Sequence, residues 1–271
     1  MLAVMFMLGG SQGRTQQSLQ VRIERWLEVK QVLGKVTREQ GSSSHFARVG
    51  DRLRAVNDGI TTGKNSSATL LVDTGIGTIS LTENTQLKIQ ELAMAPDNGR
   101  ITRLQVMSGR ALLRIRRFNH RGSRLEIRTP AGLSGVRGTE FGLNIQPSGK
   151  TGLAVREGKV VSSAQGQAVA VLGGFQNFTI PGEAPSTPTP LTEDTRIQYR
   201  FQQVIERRVR KVRLVGKVDP VNSVSVEGTP QSTNREGVFI TDFKLLPNSL
   251  KIQVEVTTPL GKREIHELAY R

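Results

Sequence analysis

Short apolar alternations, broken by turn residues about every eight to twelve positions, run through most of this chain. Between Val49 and Ile89 they read DRLRAV, ATLLVDTG, GTISLTEN and TQLKIQ. Between Ile101 and Ile180 they read ITRLQVM, RALLRIRRF, SRLEIRT, FGLNIQ, GLAVREG, KVVSSA, AVAVLGG and NFTI. No stretch long enough for a helix carries a 3.6-residue period. Val, Ile and Thr are frequent and glycine recurs at the breaks, which predicts an all-β protein built as a roll, sandwich or solenoid. No strict repeat period is present, so a regular solenoid is not implied.

The densest turn chemistry lies in TPAGLSGVRGTEF, Thr129 to Phe141, between the strand-like runs LEIRT and FGLNI. Gly135 and Gly138 permit positive φ and close backbone approach. Val136 and Phe141 are expected to pack inward. Arg137 reads as a brace that bonds carbonyls or a carboxylate in the turn, ahead of a role as a ligand contact. Ser134, Thr139 and Glu140 have no histidine beside them, so the stretch reads as a shaped turn and not as a catalytic loop.

The chain of 271 residues suffices for one large or two modest domains. Residues 1–18 read as a leader, beginning with the apolar run MLAVMFML. That run is too short to cross a bilayer, its first arginine is Arg14, and no A-x-A cleavage site follows. The remnant of a signal peptide and an unstructured leader both fit it. Residues 19–180 form the first expected domain. Residues 181–195, PGEAPSTPTPLTEDT, read as an extended Pro-rich linker. Residues 196–271 read as a small β-sandwich, with Leu250, Ile252, Val254 and Val256 alternating against polar neighbours. Within it, ERRVRKVR reads as a turn entering a strand. No transmembrane segment is expected.

Net charge is +15, and it is uneven: 24 Lys/Arg against 12 Asp/Glu up to residue 180, then 14 against 11. Arg110, Arg114, Arg116, Arg117, Arg121, Arg124 and Arg128 stand against the single acid Glu126. Strand alternation turns Arg114 and Arg116 outward from one run, and Arg124 and Arg128 outward from the next. If those runs are neighbours, the four arginines form one basic patch. Arginine forks suit carboxylate, sulfate or phosphate. An envelope protein or an anionic glycan is the expected partner. Nucleic acid is disfavoured, because Phe118 is the only aromatic side chain near the cluster for base stacking.

No catalytic residue, metal ligand or cofactor motif is nominated. Cysteine is absent, which removes disulfides and thiolate metal sites. His45, His120 and His266 share no metal-ligand spacing, with His45 placed in a polar loop. There is no G-x-S-x-G elbow and no Walker loop.

Residues 49–180 resemble the FecR domain. The resemblance rests on Gly50-Asp51, Thr62-Gly63, the ATLLVDTG run, ISLTENTQLKI, and Gly109 followed by a strand. Its most distinctive part is a TP-x(n)-GVRGT-F element, here Thr129, Pro130, Gly135, Val136, Arg137, Gly138, Thr139 and Phe141. V-x-E-G-x-V follows as Val155, Glu157, Gly158 and Val160. The resemblance implies an all-β, roll-like domain outside the cytoplasm. The family's membrane-spanning regulators place a helical anti-sigma segment and a membrane helix ahead of this domain. Here strand-like sequence around Trp26 stands there, so the resemblance does not carry a sigma-regulator role with it. The C-terminal part, with its EGVF turn and NSLKIQVEVTTPLGK, is similar to Ig-like modules.

The expectation is a non-enzymatic periplasmic or secreted binding or scaffold protein of the bacterial envelope. The alternatives are a periplasmic signalling partner that resembles a sigma-regulator sensor, and an accessory module of polysaccharide processing.

Overall fold

The computed structural model describes residues 24–270, apart from residue 74 and residues 246–248. The expected leader and the LQVRI run before residue 24 lie outside the described residues. Every regular element described is a strand. The first nine are β1 (Leu27–Leu33), β2 (Val36–Gln40), β3 (Ser43–Phe46), β4 (Arg52–Leu53), β5 (Gly59–Thr62), β6 (Ser67–Val72), β7 (Gly77–Leu81), β8 (Gln86–Met94) and β9 (Arg100–Ile115). Then come β10 (Arg124–Arg128), β11 (Leu133–Val136), β12 (Thr139–Ile145), β13 (Thr151–Glu157), β14 (Lys159–Ala164), β15 (Gln167–Leu172), β16 (Phe175–Thr179) and β17 (Thr189–Pro190).

These strands form two facing layers. One runs β4-β1-β6-β7-β9-β12-β13-β16-β17. The other runs β3-β2-β5-β8-β9-β10-β11-β14-β15. Strand β9 belongs to both. Its first half pairs with β8 and β10, and its second half with β7 and β12. The layers enclose one aliphatic core, which includes Leu27, Ile60, Leu87, Leu104, Leu113, Ile127, Phe141 and Val155.

The bend of β9 makes this possible. A straight strand of its 16 residues would span roughly 53 Å. Residues 116–123 reach at most roughly 30 Å, yet they return the chain to pair β10 in parallel beside the start of β9. The second half of β9 must therefore fold back over the first. The hinge is Gly109, at φ +80°. A Cβ there would stand 2.2 Å from Thr85 Oγ1. That hydroxyl accepts the Arg110 amide at 3.0 Å and so holds the bend.

His45 is in strand β3, not in a polar loop. REQGSSSHFAR folds as the β2–β3 hairpin around Gly41. Every side chain of β3 is exposed, so no apolar alternation marked it.

Eight more strands follow: β18 (Gln198–Glu206), β19 (Val209–Lys217), β20 (Ser223–Val226), β21 (Thr229–Gln231), β22 (Val238–Ile240), β23 (Lys244–Leu245), β24 (Leu250–Thr257) and β25 (Arg263–Tyr270). They make two four-stranded sheets over a second core of Leu214, Val218, Val224, Phe239, Val254, Val256 and Leu268. The turn expected inside ERRVRKVR falls at residues 207 and 208, between β18 and β19.

Candidate functional site

The GVRGT element is a corner where the chain crosses from one layer to the other. Strand β11 lies in the β10–β14 layer and β12 in the β9–β13 layer. Val136 and Phe141 point into the core on either side of the corner. Gly138 sits at φ +83° with its Cα face against the Arg117 backbone, where a Cβ would stand 2.6 Å from Cα. A second corner, at Gly158, returns the chain from β13 to β14. It also has positive φ, and it presses on the Gly138 carbonyl. Thr139 ties the two corners: its hydroxyl donates to the Lys159 carbonyl at 3.0 Å. Thr129 closes the β10–β11 turn through its amide, which donates to the Gly132 carbonyl at 2.8 Å. Pro130 lies against Gly149, whose added Cβ would stand 2.8 Å from the proline ring. The element is a structural joint.

Arg137 does not brace that joint. It is exposed and makes no hydrogen bond or ion pair with any described residue. The corner is held by backbone contact at the glycines and by the threonine, so no guanidinium is needed. Gly135 pairs with Glu126 and Val161 in mid-sheet, and Glu157 is exposed.

The four nominated arginines do not come together. Strand β10 neighbours the first half of β9, with Glu126 opposite Arg103. Arg114 lies in the second half, in the other layer, opposite Glu140 and 3.4 Å from its carboxylate. Arg116 follows β9 in that same layer. Arg124 shares Glu126 with Arg103 on the opposite layer, and Arg128 ends the same strand. The fold of β9 at Gly109 separates the pairs.

What the structure assembles instead is a junction between the two units. Strands β12 and β13 are buried on both faces. Phe141, Leu143, Leu153 and Val155 enter the first core, while Gly142, Asn144, Gln146, Gly152 and Ala154 face the second unit. The glycines let backbone meet backbone: a Cβ on Gly142 or Gly152 would stand 2.0 Å from the Pro259 or Val221 carbonyl. Asn144 Nδ2 donates to the Thr257 carbonyl at 3.0 Å. Gln146 Nε2 donates to the Asn222 carbonyl at 2.9 Å, and its Oε1 accepts the Thr233 amide at 2.8 Å. Lys150, 1% exposed, donates to Thr233 Oγ1 at 3.0 Å and to the Asn234 carbonyl, and lies 4.6 Å from the Phe178 ring centroid. Burial lowers its pKa to about 8. The FGLNIQ run hinted at this junction, since its Gly and polar positions alternate with apolar ones. That pattern is identical to a half-exposed strand.

Beside the junction a cleft of about 870 Å³ opens between the units, lined by Lys64, Asn84, Arg110, Gln146, Glu255 and Arg263 among others. The β9 hinge aims Arg110 into it. Neither Lys64 nor Arg110 has an ion pair among the described residues, whereas Arg263 is held by Glu255 at 2.6 Å. Arg110 Nη1 and Asn144 Oδ1, at directly paired positions of β9 and β12, are buried without a hydrogen-bond partner. Burial lowers the Arg110 pKa, with Glu255 opposing that effect. Unpaired buried polar atoms cost about 1–3 kcal/mol each, and of these two residues Arg110 also lines the cleft. Among the described residues, no group of three or more His, Cys, Asp or Glu converges as a metal site would require.

Residues 58–161 match the family model described as FecR protein. The chain carries a FecR domain. That match spans the β9 hinge, both crossover corners and the strands of the junction. Two crystal structures of a candidate anti-sigma factor from Parabacteroides distasonis ATCC 8503 are also similar. Each is 17% identical, with a TM-score of 0.41, and each match covers 49% of this chain and 59% of the other. The chain thus spans somewhat over half the length of those relatives. No curated protein matches the chain. No described helix is long and apolar enough to cross a membrane.

Proposed function

We propose that this FecR-domain protein is a non-enzymatic component of the bacterial cell envelope. Its two units act as one rigid body and hold a segment of another envelope protein in the cleft between them. The observation that carries this reading is the cleft itself, lined from both units and supplied by the β9 hinge with the unpaired Arg110. A partner's carboxylate or backbone carbonyls would take up the donors that Arg110 and Lys64 leave free. The glycine contacts at Gly142 and Gly152 fix the walls of the cleft relative to each other, which reduces the ordering that binding would otherwise require.

A photocrosslinking residue placed at Asn84, inside the cleft, tests this in cells. A discrete adduct with an envelope protein is expected, absent when the residue is moved to exposed Gln165 and weakened by Arg110→Ala. Equal adducts from both positions, or a protein found in the cytoplasmic fraction, would overturn the reading.

A second reading is favoured by the FecR domain: the bound partner is a membrane signalling protein, and occupancy of the cleft is the signal. Under it, Arg110→Ala changes transcription of genes near this one. Unchanged transcription alongside a lost adduct leaves only the scaffold role.

A further inference from the structure

The β18–β19 hairpin outruns its own core. Near its base Phe201 pairs with Leu214, which is fully buried. Further out on the same face, Ile205 pairs with Arg210 and is 70% exposed. The opposite face carries Val204 and Val209, both partly exposed. It also carries Leu245, on the next strand, opposite Lys211 and 70% exposed. The tip therefore shows apolar side chains on both faces.

Its turn is unusual. Arg207 and Arg208 sit at φ +49° and +66°, the left-handed pair that Asn-Gly fits best and that branched or bulky side chains resist. Turn geometry alone does not call for arginine there. Arg207, Arg208 and Arg210 are exposed and make no hydrogen bond or ion pair with any described residue. The one nearby acid, Glu206, is held by Lys211 at 2.6 Å.

We propose that this tip docks on a bilayer surface rich in anionic phospholipid. The three arginines take headgroup phosphates, and Ile205, Val209 and Leu245 enter the boundary with the acyl chains. A specific protein partner fits less well. The end of a two-stranded hairpin is far narrower than the roughly 800 Å² per side that a stable protein interface buries, whereas a bilayer accepts an insertion of any footprint. Charge and apolar surface are also mixed within one turn, as a headgroup boundary demands and an acidic protein groove does not. This inference does not depend on the cleft reading.

The test is cosedimentation of the full chain with phosphatidylglycerol-rich vesicles and with pure phosphatidylcholine vesicles. The expected result is a clear preference for the anionic vesicles that fades at high salt. Each arginine removed should weaken anionic binding about fivefold, so Arg207→Gln with Arg208→Gln lowers it by more than tenfold. Ile205→Ser with Leu245→Ser lowers it with the arginines intact. Arg207→Asn with Arg208→Gly separates docking from folding: it should raise the melting temperature while weakening vesicle binding. The N-terminal apolar run is common to all variants, so only differences between them are read. Arg124→Gln with Arg128→Gln, remote from the tip, should bind as the parent does. Equal binding to both vesicle types, or tip variants that bind like the parent, would overturn the proposal. So would tip-dependent capture by an acidic protein without any vesicle binding.

Discussion

Lys150 Nζ donates to Thr233 Oγ1 at 3.0 Å across the junction of the two units, and it forms no ion pair there. Glu236 and Asp219 pull its pKa upward from a distance, but burial outweighs them and leaves it at about 8. A lysine with almost no exposed surface is tolerated because the hydroxyl, the Asn234 carbonyl and the Phe178 ring all face it.

That depressed value predicts a pH dependence with a definite sign. The unfolded lysine keeps its proton up to its ordinary 10.5, while the folded one releases it near 8. Between those values the unfolded state holds more protons, so stability rises with pH across the window. Below about 8 the buried charge opposes folding in full. Thermal unfolding followed across the window should show this rise, and Lys150→Met should flatten it. An equal slope in the two proteins would remove Lys150 as its source.

Gly142→Ala and Gly152→Ala should each destabilise the junction by about 1–3 kcal/mol, because the added methyl meets a backbone carbonyl that cannot swing away. Limited proteolysis between residues 181 and 195 should accelerate. Gly135→Ala is the comparison: its nearest neighbour would lie 3.9 Å away, and the change should stay within about 0.5 kcal/mol.

At the crossover corner, Gly138→Ala combines left-handed backbone with contact against Arg117. Denaturant unfolding should register a loss of about 2 kcal/mol or more. Arg137→Ala should be nearly silent in the same assay. A large effect from the arginine would mean that its side chain does hold the corner.

Arg25, just before β1, and Asp73, just after β6, form a buried pair. The Arg25 guanidinium contacts Asp73 at 2.6 Å, and it also donates to the Ala93 and Ile101 carbonyls and to Thr102 Oγ1. Asp73→Asn strands that cation and should cost about 3–5 kcal/mol. Asparagine tolerates the φ of +44° at this position, so backbone strain does not confuse the result. Arg25→Met with Asp73→Asn should recover part of the loss.

Local chemistry made much of the fold legible. Alternation at Leu250–Val256 and at Ile101–Val106 marked strands whose one buried face dictates the pattern. Gly138 of GVRGT and Gly158 of EG marked the corners, because glycine fits those positive φ values without strain. The candidate site was less legible. Arg110 stood within the arginine cluster, but nothing adjacent in sequence marks it as the one aimed into a cleft. Nothing adjacent in sequence marks Lys150, which follows Gly149, as buried. Strand β3 is silent in sequence because its exposed side chains leave no period.

The amino-acid pattern by itself determined that this chain forms strands, where they turn, and that it carries the FecR motif, because backbone preference and one-sided burial act over a few residues. Tertiary structure alone decided which strands are neighbours. Folding β9 back at Gly109 sent Arg114 and Arg124 to opposite layers, brought Gly142 and Gly152 against the second unit, and turned Arg110 into the cleft. Such outcomes depend on contacts between residues far apart in the chain, and no local period encodes them.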